Sequence, residues 1–322
     1  MTNPIIAEIT RGSIIESVHR GAFVVTDNSG TVILTAGDID KPIYTRSAAK
    51  AFQCLPVIES GAADHFNFSA EEIALCCSSH DGEPEHVRVA LQILQKIGVD
   101  EICYECGAHW PLSHKAAYQL VREGAECRQI HNCCSGKHAG MLALAKYLGV
   151  DSKDYVTLAH PVQQTIAKAM SAICDFDLTT AQVAIDGCSV PTWAVPLRHT
   201  AMGYARLSDS DAGRRIISAV RSHPFMIAGA AGFDSRVMSA IPRLFMKFGA
   251  EGVYCGTIAH AGLGFAMKCD DGAKRSVGVA VAHMLSKLDV WEKDEVEKLN
   301  SFAHESIRNW RKLETGELRS NF

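Results

Sequence analysis

GSIIESVHRGAFVVTDNSGTVILTA, residues 12–36, sets the fold class. Its side chains alternate in character, β-branched residues are frequent, and Asp27-Asn28-Ser29-Gly30 supplies a turn inside it, so the stretch reads as an antiparallel hairpin or meander. Beyond it the period changes. SAAKAFQCLPVIE (47–59) reads as a helix whose start carries Ser47 and whose far end is limited or kinked by Pro56. Further helices are expected at 70–78, 84–97 with Pro84 in the first turn, about 136–148, about 160–174, 194–222 and 234–242. VAIDGCSVP (183–191) reads as a short buried strand ending in a loop. GVYCGTI (252–258), GFAMKCD (264–270) and SVGVAVA (276–282) read as strands, with Asp271-Gly272 as a turn, and a helix over about 289–303 closes the chain. Strands at both ends with helices between imply an α+β fold. Its antiparallel sheet would draw on about 12–36 and 252–282 and its helical lobe on about 47–242, all of 1–322 forming a single catalytic unit.

The 322 residues are 47% hydrophobic, ample for a buried core, and the net charge of -4 with scattered basic residues gives no reason to expect nucleic acid or an anionic membrane as partner. Glu8, Arg11 and Glu16 interrupt the apolar stretch a signal peptide would need, and no segment reaches the ~20 apolar residues of a membrane span. A cytoplasmic protein acting on a small molecule is expected. There the twelve cysteines read as core thiols plus a possible metal or catalytic site.

Four segments carry chemistry. In Arg46-Ser47-Ala48-Ala49-Lys50 a helix would place Lys50 one turn after Ser47 on the same face. A serine hydroxyl needs a base, and a lysine can serve if burial or a second cation destabilises its ammonium. The plainer reading is a helix-capping serine before a solvated lysine, against which stands the apolar run after Lys50. Cys76-Cys77-Ser78-Ser79-His80-Asp81-Gly82-Glu83 joins two helices. Ser79 suits a proton relay or a second nucleophile, and His80, Asp81 and Glu83 suit a substrate ammonium or carboxamide, although ordinary helix capping explains the cluster equally well. His131-Asn132-Cys133-Cys134-Ser135-Gly136-Lys137-His138 together with Asp186-Gly187-Cys188 could hold zinc, with a pair of inert structural thiols as the alternative. Lys268, in an apolar strand before Asp270-Asp271-Gly272, needs either a partner or a function unless it lies on a wet edge. Cys103-Tyr104-Glu105-Cys106 is read as structural.

Six stretches in order, YTRSAAKAFQ, CCSSHDGEPEH, HNCCSGKHAGML, HPVQQTIA, AIDGCSVPTWAVPL and GLGFAMKCDDG, resemble the L-asparaginase II family, the third structural class of asparaginases. The resemblance implies a fold like the serine beta-lactamases and glutaminases, hydrolysis of L-asparagine to aspartate and ammonia, and a homodimer. It implies two serine–lysine pairs, Ser47 with Lys50 and Ser79 with Lys268. Substrate contacts are expected at Arg46, His80, Glu83, His138 and Asp186. It also implies zinc on Cys134, Lys137 and Cys188, with Asp186 close by, and no organic cofactor. Two enzymatic alternatives remain, a glutaminase, since one methylene discriminates by only about 1–3 kcal/mol, and a beta-lactamase-like serine hydrolase, which would share the Ser-x-x-Lys. A zinc-binding regulator is the alternative outside enzymes.

Overall fold

The computed structural model describes residues 2–320 and 322. In chain order come β1 (Ile5–Arg11), β2 (Ile14–Asp27), β3 (Val32–Ala36), β4 (Pro42–Tyr44), α1 (Lys50–Glu59), α2 (Ala62–His65), α3 (Ala70–Cys76), α4 (Pro84–Ile97), α5 (His114–Arg122), α6 (Ser135–Leu148) and α7 (Pro161–Cys174). Then follow β5 (Val183–Ile185), β6 (Pro191–Pro196), α8 (Leu197–Arg206), α9 (Asp211–Ser222), α10 (Pro224–Ala228), α11 (Phe233–Ala240), β7 (Phe245–Gly249), β8 (Val253–Ile258), β9 (Leu263–Cys269), α12 (Lys274–Ser286), α13 (Lys293–Phe302), β10 (His304–Arg308) and β11 (Glu314–Arg319). The chain divides into two compact units: residues 1–48, 195–206 and 237–322 form the first, 49–194 and 207–236 the second.

The first unit is built on an antiparallel sheet ordered β10-β11-β1-β2-β9-β8-β7, with β3 also paired to β2. β2 is its spine. Its outer half is largely exposed, whereas Ala22–Thr26 is buried on successive residues, because both faces are covered there. α8 packs on β2, β8 and β9, and α12 on β1, β9 and β11. A Cβ on Gly264 would lie 2.0 Å from Ala201 O of α8, so α8 takes the face shared by Gly264, Ala266 and Lys268. Cys269 lies an odd number of residues away and meets Ser276 of α12 on the opposite face.

SVGVAVA is not a strand but the middle of α12. The helix is buried almost all round against the sheet, and a continuous apolar run erases the period that would separate helix from strand. The expected closing helix is α13, followed by the β10–β11 hairpin that completes the sheet. β1 and β7 also lie outside the expected strands.

In the second unit α6 is central, with Ser135–Ala145 all buried. α1 packs on α6, α7 and α9, and α3 on α4, α6 and α9. Gly136 allows a close approach: a Cβ there would lie 2.3 Å from Leu75 O. The start of α6 is thereby pressed against the end of α3, where the chemistry-bearing loop begins.

Candidate active site

Lys50 opens α1 and is completely buried. Its ammonium has three N–H donors and three partners: Ser78 O, Ser79 Oγ at 2.9 Å and Cys134 Sγ at 3.2 Å. An amine held by a carbonyl, a hydroxyl and a thiol is a proton donor or acceptor fixed against one serine. The loop carrying that serine is itself braced. Ser79 N donates to Ile227 O (2.9 Å) and His80 N to Cys133 O (3.1 Å). His80 accepts Gly82 N on Nδ1 (3.1 Å), so its Nε2–H donates to Ser135 Oγ (2.9 Å). His86 repeats the pattern, accepting Glu83 N and donating to Phe225 O. The His80, His86 and Phe225 rings stack in a column at 4.9 and 4.7 Å. Burial pushes both imidazoles below the usual histidine range, so they are neutral supports. Glu83 Oε1 accepts Ala230 N at 3.1 Å.

A sulfur-rich cluster adjoins Lys50. Cys134 caps α6, Lys137 follows one turn later, and Lys137 Nζ lies 2.8 Å from Cys188 Sγ. Cys188 in turn meets Asp186 Oδ2 at 3.7 Å. Ser189 beside it has a left-handed backbone (φ 74°), an uncommon conformation for serine. Bonding from the Cys133 and Cys188 thiols, with the Lys50 and Lys137 charges, pulls the Cys134 thiol well down. Burial lowers Lys137, but the neighbouring Cys188, Cys134 and Asp186 outweigh it and raise the amine overall. His138 Nδ1 and Tyr155 Oη are 2.6 Å apart, and burial holds that imidazole neutral.

In the first unit Ser47 lies in the 3-10 turn Arg46–Ala49, and Arg46 immediately before it has φ 50°. A non-glycine residue held there stores strain, which clusters at functional positions. A Cβ on Gly249 would lie 2.8 Å from Thr45 O and 3.0 Å from Ala48 N, so β7 presses directly on this turn. Two residues before Gly249, Lys247 is 1% exposed and donates to Phe248 O at 2.7 Å. Lys268 is on β9 and half-buried, and its Nζ donates to Glu251 O (2.8 Å) and Cys269 O.

The profile of the L-asparaginase II family matches residues 7–320. The chain belongs to that family. It is therefore an enzyme, an asparaginase-type amidohydrolase acting on a small molecule. It matches no curated protein. Among solved structures it is similar to a provisionally assigned beta-lactamase from Bacteroides dorei, with 11% identity over 83% of this chain and 93% of that one and a TM-score of 0.42. It is also similar to a beta-lactamase from Mycobacterium bovis, with 9% identity over 88% and 94% and a TM-score of 0.36. Among the described residues no helix is long and apolar enough to cross a membrane.

Of the expected site residues, the structure brings Lys50, Ser79 and Cys134 together, and Lys137, Cys188 and Asp186. The hydroxyl bonded to Lys50 is that of Ser79, whereas the resemblance paired Lys50 with Ser47. Among the expected substrate contacts, Glu83 braces Ala230, His80 bonds Ser135, His138 bonds Tyr155, Asp186 lies beside Cys188, and Arg46 is the strained residue before Ser47. Lys247 was missed. Its signal was Lys247-Phe248-Gly249, an amine and a glycine two apart inside an apolar stretch.

Proposed function

We propose that this chain hydrolyses the side-chain amide of L-asparagine by a serine–lysine mechanism in which Lys50 and Ser79 move the proton. The bond of 2.9 Å between a fully buried amine and a hydroxyl carries this reading. In its neutral form Lys50 Nζ takes the hydroxyl proton as the serine oxygen attacks the amide carbon. The C–N bond then breaks as the amine returns that proton to the departing ammonia. Water cleaves the resulting ester, releases aspartate and restores the serine. Ser78 O and Cys134 Sγ keep the amine in one position throughout. The amides of Ser79 and His80 are already bonded to carbonyls, so oxyanion donors for an acylated Ser79 would come from other groups. Ser47, on its strained turn, is the second hydroxyl of the proposal, and Lys268 the second lysine that the resemblance implies.

Ammonia release from asparagine, glutamine and a beta-lactam tests the reading. Lys50→Met and Ser79→Ala should each lower kcat on asparagine by about 10²–10⁴, with asparagine the preferred substrate. Full rates in both the Ser47→Ala and Ser79→Ala enzymes would remove the mechanism.

Zinc belongs to the same proposal. Two thiols, an amine and a neighbouring carboxylate are a donor set that suits Zn²⁺. Cys134, Lys137 and Cys188 would hold the ion, with Asp186 beside them. Bound there, it would supply a fixed positive charge for the substrate's α-carboxylate or a Lewis acid for its amino group. Lys137 can coordinate only as a neutral amine, so its ammonium must first give up a proton. A cytoplasmic homodimer completes the reading, and sedimentation of the purified enzyme checks the dimer.

A further inference from the structure

We propose that His19, Cys269 and Asp271 form a second metal site, for a thiophilic divalent ion such as Zn²⁺, made by residues other than the Cys134 cluster. The strand register builds it. Gly21 of β2 faces Cys269 of β9, and Asp270 N donates to Arg20 O at 2.8 Å, so the pairing runs on past the end of β9. Extending that pairing sets His19 opposite Asp271, while Cys269 and Asp271, two residues apart, share one face. Three ligand types from both ends of the chain thus meet on that face.

The donor atoms already converge. His19 Nδ1 lies 2.6 Å from Asp271 Oδ2, Cys269 Sγ lies 2.9 Å from Asp271 Oδ1, and all three ligand atoms fall within 4.8 Å of one another. Ligands bonded to zinc at about 2.0–2.3 Å sit some 3–4 Å apart, so small adjustments admit an ion. The nitrogen, sulfur and oxygen mixture selects zinc over the hard cations, which prefer oxygen throughout. His19 and Cys269 are buried, while Asp271 is exposed and gives the ion a route in. Outer partners are present too: Ala273 N donates to Asp271 Oδ1 at 3.0 Å, and Ser276 Oγ lies 3.2 Å from Cys269 Sγ. As drawn, one carboxylate takes hydrogen bonds from both the ring and the thiol. Binding would release the thiol proton and move the ring proton from Nδ1 to Nε2, leaving thiolate, neutral imidazole and carboxylate on the ion. Such a site would clamp β2, β9 and the start of α12.

The test counts zinc per chain in the full-length protein after stripping with chelator, reloading with Zn²⁺ and dialysis. His19→Ala and Asp271→Asn should each hold one zinc fewer than the wild type, and Cys188→Ser should keep this ion. Asp271 is exposed, so its variant folds even where His19→Ala does not. Equal zinc content in the wild type and Asp271→Asn would overturn the site. The readout is independent of asparagine hydrolysis, so this site can fail while that activity stands, and the reverse.

Discussion

Two buried lysines frame the residue scale. Lys50 announced itself through Ser47-x-x-Lys50 and the apolar helix after it, and it is fully buried with its three donors engaged. Which serine it serves was not legible. Sequence spacing favours the neighbour three residues away, but the hydrogen bond goes to a hydroxyl 29 residues on, at the end of another helix. Lys247 is the other case. It is 1% exposed, and Gly249 two residues on lets its strand touch the turn of Ser47. Lys247→Met, which keeps the volume, should lower kcat by about 10², more than Lys268→Ala does. Kinetics of the two variants check this, and an equal or greater loss in the Lys268 variant returns the role to Lys268.

At the scale of elements, close backbone approach sets the geometry. Gly136 brings the start of α6 onto the end of α3, and Gly249 brings β7 onto the turn Arg46–Ala49. A methyl group at either place meets backbone atoms that cannot rotate away. Gly249→Ala should cost about 1–3 kcal/mol of stability, as overpacking does, and should lower kcat through displacement of Ser47. Urea melts and ammonia assays on the one variant measure both effects. Gly136→Ala, whose Cβ would lie 2.3 Å from Leu75 O, should destabilise at least as much in the same melts. Helices with a clear face were legible to within a residue or two, α4 and α7 among them. α12 was not, because helix and strand look alike when every side chain is buried.

For the whole molecule, pH is the informative variable. His80, His86 and His138 are all pushed below the ordinary histidine range, chiefly by burial. Their folded forms stay neutral where the unfolded chain, titrating near 6.5, takes up protons. Stability is therefore complete above about pH 6.5 and is lost as the pH falls from there toward the lowered folded values. Each histidine contributes a slope of up to about 1.4 kcal/mol per pH unit. Chemical melts between pH 7 and 5 should show a steeper fall in the wild type than in His86→Gln, and parallel curves would count against the burial argument.

The sequence by itself determined which residue types are present for chemistry, the α+β class and the family, because those follow from composition, local period and six ordered motifs. Only the tertiary structure decided that Lys50 bonds Ser79, that Lys247 is sealed from water, that SVGVAVA coils rather than extends, and that His19 meets Asp271 across 252 positions. The physical reason is range. Periodicity reports how a segment is buried by its surroundings, while partners far apart in sequence are chosen by strand register and by how closely backbones can approach.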